Sequence, residues 1–250
     1  MTTRKDGRGY DTLRPVTIQT GLQSNPEGSV LYACGGTKVL LAASADEGVK
    51  DWLKGKGRGW VTAEYAMHPR ANPGRQHREG WRGSVGGRTH EIQRLVGRAL
   101  RSSVVLEKLG ERSVTIDCDV LDADGGTRTA SITGGWVAMC IALDRIRKRG
   151  LIAKGVLREP VAAISVGWLN DAPMLDLCYT EDSAAEVDLN IVATASGGIV
   201  EVQGTAEGAP LPKKQFDAML DVGLAAIPAL VAGQCKALEA AGVDWQQLVA

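Results

Sequence analysis

The sequence predicts a mixed strand-and-helix protein of two halves, each giving strands and then a helix, and three features carry that expectation. Several short runs alternate apolar and polar residues with the period of two that belongs to half-buried strands. Two longer segments, one following Ala130 and one over 213–241, space their apolar residues as helices do. Glycine- and asparagine-bearing turns join neighbouring strand runs into hairpins.

Composition narrows the class. The chain has 250 residues, enough for one large domain, with 29 basic and 29 acidic residues. Overall charge therefore cancels, and a nucleic-acid partner has to be held by a local patch. With a single phenylalanine, the core must rest on Val, Leu, Ile and Ala. No window reads as a membrane span, and Met1–Asp6 is followed by no apolar segment, so a cytoplasmic protein is expected. Cys34, Cys118, Cys140, Cys178 and Cys235 are odd in number and far apart, which indicates neither a disulfide framework nor a zinc site.

Taken in order, residues 4–15 are charged and glycine-bearing and read as a surface segment before a first strand at 16–20. Runs 29–34 and 38–45, joined by Gly35-Gly36-Thr37, read as a hairpin. After a polar, basic stretch, 60–67 is a strand with Trp60, Thr62, Glu64 and Ala66 on one side. Residues 68–87 are rich in Pro and Gly without apolar period and read as a long exposed loop. From His68 through Arg101 there are eight arginines (70, 75, 78, 82, 88, 94, 98, 101) against two glutamates. Arginine forks suit phosphates, and Trp81, His68 and His77 offer rings for stacking, so the region fits single-stranded nucleic acid as well as a plain solvated loop. Residues 88–101 form an amphipathic helix whose buried stripe is Ile92, Leu95, Val96, Ala99 and Leu100. Arg88 opens it after Gly86-Gly87 and suits an anion contact or a free surface position.

Ser113–Leu121 alternates as a strand, and Arg145, Arg147, Lys148 and Arg149 close the helix after Ala130, where cations suit its dipole. Between them lies Asp122-Ala123-Asp124-Gly125-Gly126-Thr127-Arg128. Its glycines let a ligand approach the backbone, and the helix N-terminal amides, the Thr127 hydroxyl and the Arg128 guanidinium are donors fit for a phosphate. The same residues also fit a simple strand-to-helix turn.

Residues 150–155 read as the connector between halves of about 1–150 and 151–250 within a single domain of 1–250. The second half opens with a hairpin, 161–168 and 174–179 about Asn170-Asp171-Ala172-Pro173. Strands at 187–195 and 199–203 follow, then a helix at 213–241 interrupted around Pro228, then a short tail at 245–249. Between Asp171 and Asn190 there are six acids and no lysine or arginine. Such a run repels itself unless a cation or basic partner compensates. Asp182 and Asp188 together would form a hard oxygen site suited to Mg²⁺. Asp182 also fits a turn cap, and Asp188 a solvent-facing strand residue.

The stretches Gly9–Val16, Gly87–Leu95, Asp122–Arg128, Glu181–Asp188 and Glu201–Glu207, in that order, resemble the ribonuclease PH family of phosphate-dependent 3′-to-5′ exoribonucleases over nearly the whole chain. The resemblance implies that family's α+β domain, with two similar strand-and-helix halves, in a homo-oligomeric ring that is a hexamer built as a trimer of dimers. It implies inorganic phosphate as co-substrate, held by Arg88, Gly126, Thr127 and Arg128. Asp182 and Asp188 become the acidic pair linked to Mg²⁺ and catalysis, with Asp188 the first choice for the general acid, Asp182 chiefly a metal ligand, and those roles exchangeable. Arg70, Arg75, Arg78 and Arg82 become RNA-gripping residues, and the substrate class is precursor tRNA with extra 3′ nucleotides, other structured RNAs such as ribosomal RNA included. His90 receives no role. The alternative is a catalytically silent, RNA-binding ring subunit of an exosome-like complex, against which intact Thr127, Arg128, Asp182 and Asp188 argue.

Overall fold

The computed structural model describes Arg4 and residues 6–79 and 83–250. Among the described residues, nine strands form two sheets. The first has the order β1-β2-β3-β5-β4, from β1 (Val16–Thr20), β2 (Gly28–Cys34), β3 (Thr37–Glu47), β4 (Trp60–Met67) and β5 (Arg112–Asp122). The second has the order β7-β6-β8-β9, from β6 (Val161–Leu169), β7 (Ala172–Leu175), β8 (Val187–Thr194) and β9 (Ile199–Ala206). Helix α1 (Gly87–Ser102) packs on β4, and the one-turn α2 (Leu106–Leu109) leads into β5. Helix α3 (Thr127–Lys148) lies between the sheets, touching β2, β3 and β5 on one side and β6 and β8 on the other. The one-turn α4 (Tyr179–Asp182) precedes β8, and α5 (Lys213–Ala240) covers the second sheet.

The central place of α3 explains its irregular apolar spacing. Residues from Thr129 to Cys140 are buried without a break, so the helix has no polar face to set a period. Thr133 is answered internally: the Ala163 amide donates to Thr133 Oγ1 at 3.0 Å, and buried Gln234 Nε2 of α5 donates to the Thr133 and Val161 carbonyls at 2.8 and 3.0 Å.

The first sheet also fixes where a ligand can sit. Strand β4 runs parallel to β5, whereas the sheet's other pairings are antiparallel. The carboxyl ends of β4 and β5 therefore emerge at one edge, and the helices that follow them, α1 and α3, both begin there. Crevices outside the carboxyl ends of parallel strands are where backbone donors at helix N-termini collect.

Several expectations need correction. The N-terminal segment is not simply superficial, since Arg4 and Arg14 are buried. The strand expected at 174–179 is shorter and earlier. Asn170 and Asp171, both left-handed (φ 50° and 57°), make a tight two-residue turn, and Asp176 at φ 54° ends the pairing after Leu175. Helix α5 runs through Pro228 without interruption. Pro228 is exposed, so the backbone bond it removes lies on the solvent side. This helix does hold a window of mean hydropathy 1.6, long and apolar enough to cross a membrane by length and composition. In the fold, Met219, Ile227 and Leu230 on one of its faces join the second sheet's core. The tail at 245–249 is tied in as well: Leu248 is fully buried and the Ala250 amide donates to the Leu157 carbonyl at 2.8 Å.

Candidate active site

The glycine turn between β5 and α3 is built by close approach. Gly125 and Gly126 have φ of +76° and +67°, in the left-handed region. A Cβ on Gly125 would stand 2.4 Å from the Leu177 carbonyl oxygen and 3.0 Å from the Tyr179 amide. The turn is therefore pressed against the backbone that leads into α4. Helical pairing begins with the Ala130 amide donating to the Gly126 carbonyl at 2.9 Å. The amides of Thr127, Arg128 and Thr129 come before that bond and face outward from the helix start. Beside them the Tyr65 hydroxyl donates to Thr127 Oγ1 at 2.9 Å.

A buried clamp holds this turn to the second half. The Arg14 amide and Nη2 each donate to the Asp176 carboxylate at 2.7 Å, and Arg14 Nη1 donates to the Asp124 carbonyl at 2.6 Å. Thr37 Oγ1 donates to the Gly125 carbonyl at 2.7 Å and accepts from the Asp124 amide at 2.9 Å. Asp124 Oδ1 in turn accepts from the Tyr179 amide at 3.1 Å. Burial alone would weaken the Arg14 charge, but the bond to Asp176 holds its guanidinium above the ordinary range. Burial and the same carboxylate push the Cys34 thiol up to about 12.

Two members of the acidic cluster have basic partners. Asp176 is paired with Arg14 and, at 3.8 Å, with Arg8, and Glu181 with Arg4 and Arg8. Those bases come from the N-terminal segment, far away in sequence. Asp182 and Asp188 have no such ion pair within 4.0 Å among the described residues. Asp182 ends α4 on the open side, and Asp188 lies half-buried on β8 opposite Gly167, with Asn190 Nδ2 donating to it at 3.4 Å. Partial burial, then the charge of Asp188, push the Asp182 carboxyl up, while Arg128, Arg88 and Arg14 pull it down. The fold thus brings Arg88, Arg128 and Asp188 within electrostatic reach of Asp182, and Gly126 and Thr127 lie beside Arg128 at the start of α3. Arg88 is exposed and Arg128 half-buried there.

Two carboxylates without bases between them, open to solvent and facing arginines, form a donor set that fits Mg²⁺ carried partly by water and phosphate oxygens. Among the described residues no group of three or more His, Cys, Asp or Glu side chains converges as a metal cage. Arg70, Arg75 and Arg78 are exposed on the loop after β4. Arg82 and Trp81 lie outside the described residues. The loop is anchored near Arg88, where Thr89 Oγ1 donates to Glu79 Oε2 at 2.6 Å.

Sequence reasoning missed Tyr65, Arg14, Asp176 and Thr37. Tyr65 left a faint signal, being on the side of the β4 alternation opposite Trp60 and Thr62. The others act through partners too distant in sequence for any local pattern.

The fold that carries this site belongs to a known class. The chain matches the 3′ exoribonuclease family, domain 1 over residues 12–143 and domain 2 over residues 159–226, and it belongs to that family. Its fold is the α+β ribonuclease PH-like fold. Among curated relatives, Ribonuclease PH of Mycobacterium ulcerans (strain Agy99) is 52% identical over 244 residues, covering 95% of this chain and 92% of that protein. Rice (Oryza sativa) Rrp46 superposes with a TM-score of 0.77 at 19% identity over 94% of this chain and 100% of that one. An Archaeoglobus fulgidus exosome structure with RNA bound to the active site gives 0.74 at 25% identity, over 91% of each chain.

Proposed function

We propose that this site carries out phosphate-dependent removal of 3′-terminal nucleotides from RNA. The observation that carries the reading is the meeting of Arg88 and Arg128 with Asp182 and Asp188, close enough that both arginines pull on the Asp182 carboxyl. A phosphate-holding pair and an acid-holding pair are both required when one anion must attack another. Inorganic phosphate sits against Arg88, Thr127, Arg128 and the first amides of α3. One of its oxygens attacks the phosphorus of the last phosphodiester, in line with the departing 3′ oxygen of the preceding nucleotide. The new P–O bond forms as the old one breaks, leaving a nucleoside diphosphate and RNA shorter by one.

The leaving 3′ oxygen takes a proton from the acidic pair. Sequence reasoning puts Asp188 first for that role. Asp182 then chiefly holds the cation, and the two roles can be exchanged between these carboxylates. Mg²⁺ held by this pair supplies charge neutralisation at the phosphates. Arg70, Arg75, Arg78 and Arg82 grip the RNA strand, whose class is precursor tRNA with extra 3′ nucleotides and other structured RNA such as ribosomal RNA. The assembly is a homo-oligomeric ring, a hexamer as a trimer of dimers, acting in the cytoplasm.

Arg128→Ala tests the site. Phosphate use should weaken at least tenfold while RNA retention stays within about twofold, since a lost charge-assisted bond is worth roughly 1.5–3 kcal/mol. Collapse of RNA binding with unchanged phosphate dependence would overturn the assignment. A silent, RNA-binding subunit would retain RNA in both proteins and release no nucleotide from either.

A further inference from the structure

We propose that Tyr65 is a positioning residue for the attacking phosphate, acting through the Thr127 hydroxyl; this rests on the phosphorolytic reading above. Tyr65 lies on the inward side of β4 near its carboxyl end, in register with Cys118 of β5 and 4% exposed. Its phenol donates to Thr127 Oγ1 at 2.9 Å.

A threonine hydroxyl has one proton to give and two lone pairs to receive. In the first turns of α3, Thr129 and Ser131 spend their protons on the helix itself, Thr129 on the Gly126 carbonyl at 2.9 Å and Ser131 on the Thr127 carbonyl at 2.9 Å, and Thr133 spends its proton on the Ala163 carbonyl of β6 at 3.2 Å. Thr127 has no such bond among the described residues. Tyr65 fills one of its lone pairs from below. The Thr127 proton is thereby turned away from the sheet, toward the outward-facing amides of α3 and the arginines at the site. A hydroxyl oriented before the anion arrives loses no rotamer freedom on binding it, which is how a group that never touches the phosphate can strengthen its capture. Burial keeps the phenol protonated, against the opposing pull of its Thr127 bond and the charges of Arg88 and Arg128. Tyr65 therefore remains a donor throughout the working pH range.

Steady-state kinetics on a 3′-tailed RNA separate this role from packing. Tyr65→Phe keeps the ring and loses the hydroxyl. It should raise KM for inorganic phosphate about fivefold, with KM for RNA and kcat at saturating phosphate within twofold, the size expected for one hydrogen bond. Thr127→Val should raise the phosphate KM further, and adding Tyr65→Phe to it should change nothing more, because the tyrosine then has no hydroxyl to orient. If the parent protein is phosphate-dependent and Tyr65→Phe leaves its phosphate KM unchanged, or if the two substitutions simply multiply, the positioning role is wrong and phosphorolysis stands. If the parent releases nucleotides without regard to phosphate, the phosphorolytic reading and the positioning role fall together. A melting temperature for each variant identifies any loss that comes from misfolding, and the KM split is then read on the folded variants.

Discussion

Replacing Gly125 by alanine tests whether the glycine turn positions the candidate active site or only reverses the chain. Two costs fall on that substitution. A φ of +76° is strained for an L-residue, at about 1–2 kcal/mol. The new methyl would also lie 2.4 Å from the Leu177 carbonyl oxygen and 2.9 Å from the Cys178 carbonyl carbon, well inside contact distance and against backbone rather than a pliable side chain. Forcing that backbone aside adds about 1–3 kcal/mol. Gly150 supplies a matched control, with φ +75° and nothing within 4 Å of an added Cβ. Gly150→Ala should therefore lose only the strain, about 1 kcal/mol, and Gly125→Ala about 3 kcal/mol. Urea unfolding of both variants and the parent at one protein concentration measures the difference. The segment pushed aside leads into α4 and Asp182, and a misplacement of about 1 Å can cost on the order of 100-fold in rate. Gly125→Ala should lose activity on that scale below its unfolding transition, with Gly150→Ala within twofold of the parent. Equal losses in the two variants would refute the close-approach argument.

Three further outcomes follow from the same geometry. Arg14→Met takes the nearer cation from the buried Asp176 carboxylate and leaves it only Arg8 at 3.8 Å, so stability by urea unfolding should fall by about 3 kcal/mol; a loss under 1 kcal/mol would mean the clamp is not a unit. Asp188→Asn removes a like charge from beside Asp182, and carboxyl NMR should find the Asp182 titration midpoint moved down toward its ordinary 3.8. Because folding raises this pKa, the folded state binds the proton more tightly. The stability it contributes is present below pH 3.8 and is lost as pH rises through the raised value, so Asp188→Asn should flatten that acid-side dependence. Substituting Arg70, Arg75 and Arg78 together by alanine should lower the slope of log RNA affinity against log salt by about 2, at about 0.7 per single-strand phosphate contact, and leave the phosphate KM unmoved.

What could be read from the sequence was whatever has a local period or a local turn. Strands β1 and β4 begin and end where alternation begins and ends, and α1 follows its apolar stripe. The Gly125-Gly126 turn and the unpaired acids were visible as chemistry without coordinates. What was hidden depends on contacts distant in sequence. Nothing near Arg14 announces that its partner is Asp176, and the apparent self-repulsion of the acidic stretch is relieved by Arg4, Arg8 and Arg14 arriving from the chain's start. Helix α3 obscured its own period by being buried all round, and α5 kept its course past Pro228 because that residue is on the exposed side. Tyr65 reads as an ordinary core aromatic until β4 is laid parallel to β5 and its hydroxyl meets Thr127.

Whether inorganic phosphate or water is the nucleophile is decided by supplying ³²P-labelled phosphate and Mg²⁺ with an unlabelled 3′-tailed RNA and separating the released nucleotides. Phosphorolysis puts label in the β position of nucleoside diphosphates, in amounts matching the residues removed. Release of unlabelled nucleoside monophosphates would mean that water is the nucleophile and that the phosphate assignment is wrong.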